Sequence, residues 1–530
     1  MAETPVYGHA AVAAPHWPAS ETGQRVLAQG GNAIEATVAM AATIAVTYPH
    51  NNSIGGDGFW LVAERNGRVH FIDACGAAGG KATIALYRRE GYETVPPRGP
   101  MAALTAPGAI SGWRLALDMS QAFGGTLPLR ILLEDAIRYA RDGVPVSSSQ
   151  TRVEPAEFAG LLAAPGFAAT FSDDGKPFTA GQTMTQPALG ATLEQLAHAG
   201  LEDFYRGDIA REMAADLERL GSPILREDLR RHEARLRAPL TLGIPGARLY
   251  SSPPPTQGLA ALMAMGIFER LGVTRAESFA HIHGLIESVK PALAVRDRVI
   301  TDPGALVGDP DAYLTPARLE KEAAAVSMSR AARGPEAGGK GDTVWLGAID
   351  GDGLAVSYIQ SVFWDFGSGL VLPSTGIVMQ NRGVSFSLDP AALNPLAPGR
   401  KPFHTLVPAI ALFDDGRVMS YGTMGGDSQP QIQAQVLSRY RLGIPLADAV
   451  DAPRFRLGRR DGDPDVMVRL ESRFDEGLIR SLSQAGHPVI TVEQPYSDDF
   501  GHAGALVRHR RDGRIEATHD PRSDGGALGL

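Results

Sequence analysis

Residues 33–47, AIEATVAMAATIAVT, put alanine, valine, isoleucine or methionine on nearly every side of a helix. A surface helix keeps one face polar, so a helix apolar all round must be covered on all sides, inside a layered fold. It contains Glu35 and is shorter than the roughly 20 apolar residues a bilayer demands, so no membrane span is expected. Ser20 is a suitable N-cap for a preceding helix that runs to Gln29 and stops at Gly30-Gly31; a second helix then starts near Asn32 and ends at Pro49. Next, Phe59–Glu64 and Arg68–Asp73 read as strands joined by Asn66-Gly67, a hairpin turn.

From Leu104 to about Gly221 the apolar residues recur at helical spacing between Gly and Pro breaks, and Glu277–Asp297 reads as a long helix kinked at Pro291. Ser327–Asp342 (SMSRAARGPEAGGKGD) is small, polar and glycine-rich, which predicts a flexible exposed segment. Beyond it strands dominate. Val344–Ile349 with Leu354–Gln360, and Val407–Phe413 with Val418–Tyr421, form hairpins about Asp-Gly turns; a helix over Gln429–Tyr440 and a strand pair, Ala505–His509 with Arg514–Thr518, follow. Helices and hairpins on both sides of the break predict an α/β (α+β) architecture with two sheets between helical layers.

A net charge of −9 argues against nucleic-acid binding. The basic run Arg508-His509-Arg510-Arg511 beside Asp512-Gly513 reads as a solvated hairpin tip. The single Cys75 excludes an internal disulfide and any multi-thiolate metal site. It fits a reducing compartment, and with no secretory pattern in Met1–Ser20 the expected location is cytoplasmic. Gly334–Lys340 follows a phosphate-binding loop for seven places, but Gly341 stands where Ser or Thr is required. His281 and His283 are two apart, face different sides of a helix, and read as packing or surface residues. Gly426-Asp427-Ser428-Gln429-Pro430 approaches a serine-hydrolase elbow, with Pro430 in place of its last glycine.

Thr343 opens the first strand after the flexible segment. If the Asp342–Thr343 bond were cut, Thr343 would carry both a hydroxyl and an α-amine. With a pKa of about 7.7 to 8.0, that amine can take the hydroxyl proton near neutrality, so one residue supplies nucleophile and base.

Several runs together resemble the gamma-glutamyltranspeptidase family of N-terminal-nucleophile hydrolases: GGNAIEATVA (30–39), IGGDGF (54–59), LTAPGAISGW (104–113), RDGVPV (141–146), GDTVWLGAIDGDGLAVSYIQS (341–361), GTMGG (422–426), DAPRF (451–455) and DPRSDGGALG (520–529). The resemblance implies a four-layer αββα sandwich from a self-cleaved precursor, with 1–342 as large subunit and 343–530 as small subunit. It makes Thr343 the catalytic residue and Asp342–Thr343 the cleavage site. Ser361 would hydrogen-bond Thr343, and the N–H groups of Gly425 and Gly426 would hold the oxyanion. Neither metal nor organic cofactor is implied, and two cleaved heterodimers together are the family's suggestion for assembly.

Where the family's gamma-glutamyl enzymes carry an arginine for the donor carboxylate, this chain has Cys75, and a thiol cannot make that bidentate contact. The acidic residue that reads the α-amine falls near Ser385, and the paired serines fall on His404-Thr405. Arg382 and His404, with Thr405, are the substrate-binding candidates, since a guanidinium suits a small anionic amide. AVAAPH (11–16) and IAVTYPHNNSIGGDGFWLV (44–62) are most similar to the oxamate-hydrolysing branch, which converts oxamate to oxalate and ammonia in purine degradation. The competing readings are a gamma-glutamyl hydrolase or transferase acting on glutathione, a cephalosporin-type acylase, and an uncleaved binding protein without chemistry.

Overall fold

The computed structural model describes residues 4–335, 341–460, 463 and 465–530. Two helices come first, α1 (Trp17–Ala28) and α2 (Ala33–Thr47). Every residue of α2 is buried. Its start is set by Asn32, whose side chain accepts the Ile34 and Glu35 amides while the Glu35 carboxylate accepts the Asn32 N–H, a reciprocal box for donors the first turn leaves open. α1 begins earlier than the expected Ser20. His16 is its N-cap and Pro18 lies in its first turn, where a missing N–H costs nothing; the Ser20 hydroxyl donates to the Gly526 carbonyl instead.

Two seven-stranded antiparallel sheets form the centre. In chain order their strands are β1 (Val6–Tyr7), β2 (Ala11–Ala14), β3 (Asp57–Ala63), β4 (Val69–Ala74), β5 (Arg235–Arg237), β6 (Leu240–Ile244), β7 (Ala247–Ser251), β8 (Asp342–Ile349), β9 (Ala355–Phe363), β10 (Ala409–Phe413), β11 (Val418–Thr423), β12 (Ala503–Arg508), β13 (Ile515–His519) and β14 (Gly526–Gly529). One sheet runs β14-β2-β8-β9-β3-β4-β5 and the other β1-β13-β12-β11-β10-β7-β6. The hairpins expected from sequence are all present; Arg235–Ser251 adds three strands that periodicity had not singled out.

Phe59, Phe71, Trp345 and Ile359 from the first sheet meet Tyr250, Ile410 and Leu506 from the second. Strand residues that alternate with these, such as Trp60, Val62, Leu346 and Val356, point outward to a layer containing α1, α2 and α3 (Ala109–Ser120). The second sheet is covered by α4 (Gly258–Arg270), α5 (Phe279–Val299, continuous through Pro291) and α6 (Gln429–Arg441). Strands buried on both faces explain why the sequence shows apolar runs rather than strict alternation. The architecture is the expected αββα sandwich. Among the described residues no helix is long and apolar enough to cross a membrane.

In the segment expected to be flexible and exposed, residues 327–335 are exposed or half-buried, yet part of it is anchored. Ala331 N–H donates to Ala485 O, Ala332 N–H to Glu287, and Lys290 to Ala332 O; buried Glu287 and Lys290 thus hold part of it in place. Most of the phosphate-loop pattern, residues 336–340, lies outside the described residues. His281 and His283 are both buried, the first on Ser438, the second on His487 and Ser327 O. His283, Glu287 and His487 bring three ligand atoms within 4.8 Å, but the Lys290 ammonium already pairs with Glu287.

Candidate active site

Residues directly opposite in adjacent strands share a face. Ser361 on β9 stands opposite Asp57 on β3, and Cys75 follows the Gly58–Ala74 pair at the end of β4. On the other side of Ser361 the register between β8 and β9 shifts between Asp342 and Val344, an irregularity of the kind that re-aims a side chain. The result is a row, Thr343, Ser361, Asp57, Cys75, on the face between the two sheets.

Thr343 and Ser361 are each only 1% exposed. Thr343 Oγ lies 2.6 Å from the carbonyl oxygen of Asp342 and 3.2 Å from Ser361 Oγ. The Ser361 hydroxyl donates to the same carbonyl oxygen at 2.6 Å and accepts the Phe363 N–H at 2.8 Å. A relay of amide, hydroxyl and carbonyl therefore polarises the one peptide bond that Thr343 could attack. Gly425 and Gly426 have φ of +125° and +53°, backbone that a side chain would strain. They lie between β11 and α6, and a Cβ on Gly341 would come within 2.9 Å of Gly426 Cα, so the turn abuts the chain leading into Thr343. The elbow-like Asp427-Ser428 belongs to this turn, with the Ser428 hydroxyl buried.

The third group of candidates also converges. Arg382 is fully buried, its guanidinium 3.5 Å from the Phe363 ring centroid, with Nη2 donating to Thr405 Oγ at 3.0 Å. Its Nε and Nη1 have no partner among the described residues. Burial lowers its pKa to about 9, with Asp57 acting in the other direction. His404 Nε2 sits 3.1 Å from Asp57 Oδ2, leaving Nδ1 without a described partner. Burial, and then the nearby Arg382 and Lys401, hold His404 neutral. Asp57 also accepts the Gly76 N–H and the Gln380 amide at 2.9 and 3.1 Å, but burial dominates and raises its pKa to about 7.

Sequence reasoning passed over Asp57, Gln257, Gln380 and Arg98. Gln257 donates to the carbonyls of Thr405 and Gly426, 2.8 Å each, and accepts from Arg296, which is paired with Asp427; it ties the Arg382 pocket to the glycine turn. Arg98 donates to the Asp365 and Gly367 carbonyls and interacts with the Asp342 charge. Asp57 lay in the quoted IGGDGF run and was readable only as part of a turn. Cys75 is buried, and burial pushes its thiol up. Asp57, Cys75 and His404 offer three ligand atoms within 4.8 Å, yet Arg382 and Lys401 bear on the same thiol, so the group lies beside two cations.

Two antiparallel sheets packed face to face between helical layers are the architecture of the N-terminal-nucleophile hydrolases. The chain belongs to the gamma-glutamyltranspeptidase family, whose profile matches residues 19–530. It is 48% identical to the oxamate amidohydrolase proenzyme of Klebsiella pneumoniae over the whole of both chains. It is 35% identical to the glutathione hydrolase-like YwrD proenzyme of Bacillus subtilis over 98% of each. A cephalosporin acylase from Bacillus halodurans superposes with a TM-score of 0.91 at 30% identity, covering 100% of this chain and 97% of that one.

Proposed function

We propose that the chain is a self-processing amidohydrolase for a small anionic amide, oxamate, which it converts to oxalate and ammonia through an acyl–Thr343 ester. In processing, Thr343 Oγ attacks the Asp342 carbonyl carbon, the C–N bond breaks, and the acyl group moves to oxygen. Water then opens the ester, leaving an Asp342 carboxylate on the large subunit (1–342) and a free Thr343 amine on the small subunit (343–530). In turnover the amine takes the hydroxyl proton as Oγ attacks the substrate amide and returns it to the departing ammonia. Water releases the second product. Gly425 and Gly426 supply oxyanion N–H groups, each such donor typically worth about 2.7–4 kcal/mol, and Ser361 holds the nucleophile.

The observation that carries the substrate assignment is Arg382: a fully buried guanidinium with two nitrogens that have no hydrogen-bond partner among the described residues. A buried unpaired charge is costly, and a carboxylate next to the scissile amide would satisfy it. The 48% identity to an oxamate amidohydrolase proenzyme supports the same choice. Intact mass tests processing: fragments of roughly 36 and 20 kDa, in proportion to length, are expected from the wild type and a single chain from Thr343→Ala. Ammonia release from oxamate tests the substrate.

A second reading rests on a cavity of about 550 Å³ bordered by Cys75, Arg235 and Lys401, large enough for a gamma-glutamyl donor. Glutamate release from glutathione, exceeding ammonia release from oxamate, would favour it.

A further inference from the structure

The run Arg508–Arg511 does form a hairpin tip, but part of it faces inward. Thr343, Ser361 and Gly425 lie at one end of the strands. At the other end four turns meet: 64–68 between β3 and β4, 350–354 between β8 and β9, 414–417 between β10 and β11, and 509–514 between β12 and β13. They enclose a cavity of about 420 Å³ lined by Arg65, Arg417, Arg508 and Arg510, with no carboxylate among the described residues of its wall. The strand rise from Thr343 to Asp350 sets it about 23 Å from the nucleophile.

Several acidic groups of these turns are engaged with other partners. Glu64 bonds His70 and Asn66, Asp512 pairs with Arg514, Glu516 with His509, and Asp350 accepts the Ala33 and Leu354 amides. Asp415 pairs with Arg417. Among the described residues Arg65, Arg508 and Arg510 have no carboxylate at salt-bridge distance. Among the described residues Arg508 Nε is buried without a hydrogen-bond partner, and Nη2 makes a single long contact, 3.5 Å, to Gly351 O. Its guanidinium lies over Gly353, where a Cβ would come within 3.1 Å of it. In a chain of net charge −9, guanidinium groups gathered around a cavity whose described wall carries no carboxylate repel one another unless an anion is shared.

We propose that this cavity is a binding site for a small multivalent oxyanion, phosphate- or carboxylate-bearing, remote from the nucleophile. Forked guanidinium donors converging from turns of both sheets suit such a ligand, and the volume admits it. The site is independent of the substrate assignment.

Calorimetric titration of the full-length protein with pyrophosphate, and separately with citrate, at physiological ionic strength tests it. Saturable binding of at least one anion is expected, weakened by about tenfold or more, equivalent to about 1.4 kcal/mol, in Arg508→Gln and in Arg510→Gln. Tighter binding of pyrophosphate identifies a phosphate ligand, and tighter binding of citrate a carboxylate one. Arg65 and Arg510 are exposed, so Arg65→Gln combined with Arg510→Gln serves if the Arg508 variant does not fold. No saturable binding of either anion at millimolar concentration, or equal binding by the variants, overturns the proposal.

Discussion

Arg382 is held where an unpartnered charge is expensive. Stacking on Phe363 and one bond to Thr405 leave Nε and Nη1 without a hydrogen-bond partner among the described residues, and a charge-assisted hydrogen bond is worth about 1.5–3 kcal/mol. Arg382→Lys keeps the charge but loses the planar fork; steady-state kinetics on oxamate are expected to show kcat/KM lower by about ten- to a hundredfold, with processing intact by mass. Asp57 makes a pH statement. Burial lifts its pKa from 3.8 to about 7, so between those values the folded chain holds a proton that the unfolded chain has released. The folded state therefore loses stability as pH rises through this window, by a few kcal/mol at most. Asp57→Asn removes that term, and unfolding midpoints at pH 5 and 8 are expected to fall less, on going to the higher pH, in the variant than in the wild type. The Asp57–His404 contact joins residues 347 apart in the chain, so no local spacing could have shown it, whereas Thr343 is a candidate because its own hydroxyl and amine could supply nucleophile and base, and the family motifs rather than spacing single it out.

Among the elements, the turn between β11 and α6 carries the strictest backbone requirement. With φ of +125° at Gly425, Gly425→Ala strains the turn and displaces its amides; kcat is expected to fall by about a hundredfold or more, measured at saturating substrate. The hairpins and α2 were readable because turn chemistry and a 15-residue apolar run are local signals. The N-cap of α1 lies four residues before the expected Ser20, since Ser20 finds its partner in β14 rather than in its own helix. β5 to β7 were missed because β5 and β6 are edge strands whose role depends on β4 and β7 arriving beside them. The polar composition of 327–342 predicts exposure, which residues 327–335 show, but not the anchors on Glu287, Lys290 and Ala485, which come from far along the chain.

At the scale of the whole molecule, the sheet orders determine how the proposed subunits would hold together. In the first sheet β8 and β9, from the region after Asp342, lie between β2 and β3, from the region before Thr343; in the second, β10 to β13 lie between β1 and β7. Separating the fragments would break backbone ladders in both sheets and expose the core between them. The two fragments are therefore expected to co-elute in gel filtration after processing and to part only in denaturant; elution as separate species in native buffer would contradict the interleaving. Local chemistry along the chain was enough for the layered class and the hairpins, because each depends on neighbours within a few residues. The pocket of Arg382, His404 and Asp57, the clamp on the segment before Thr343, and the arginine cavity at the far end were decided only in three dimensions. Each is made of side chains that are distant in sequence, and their charges and hydrogen bonds acquire meaning only from which other groups the packed sheets bring within reach.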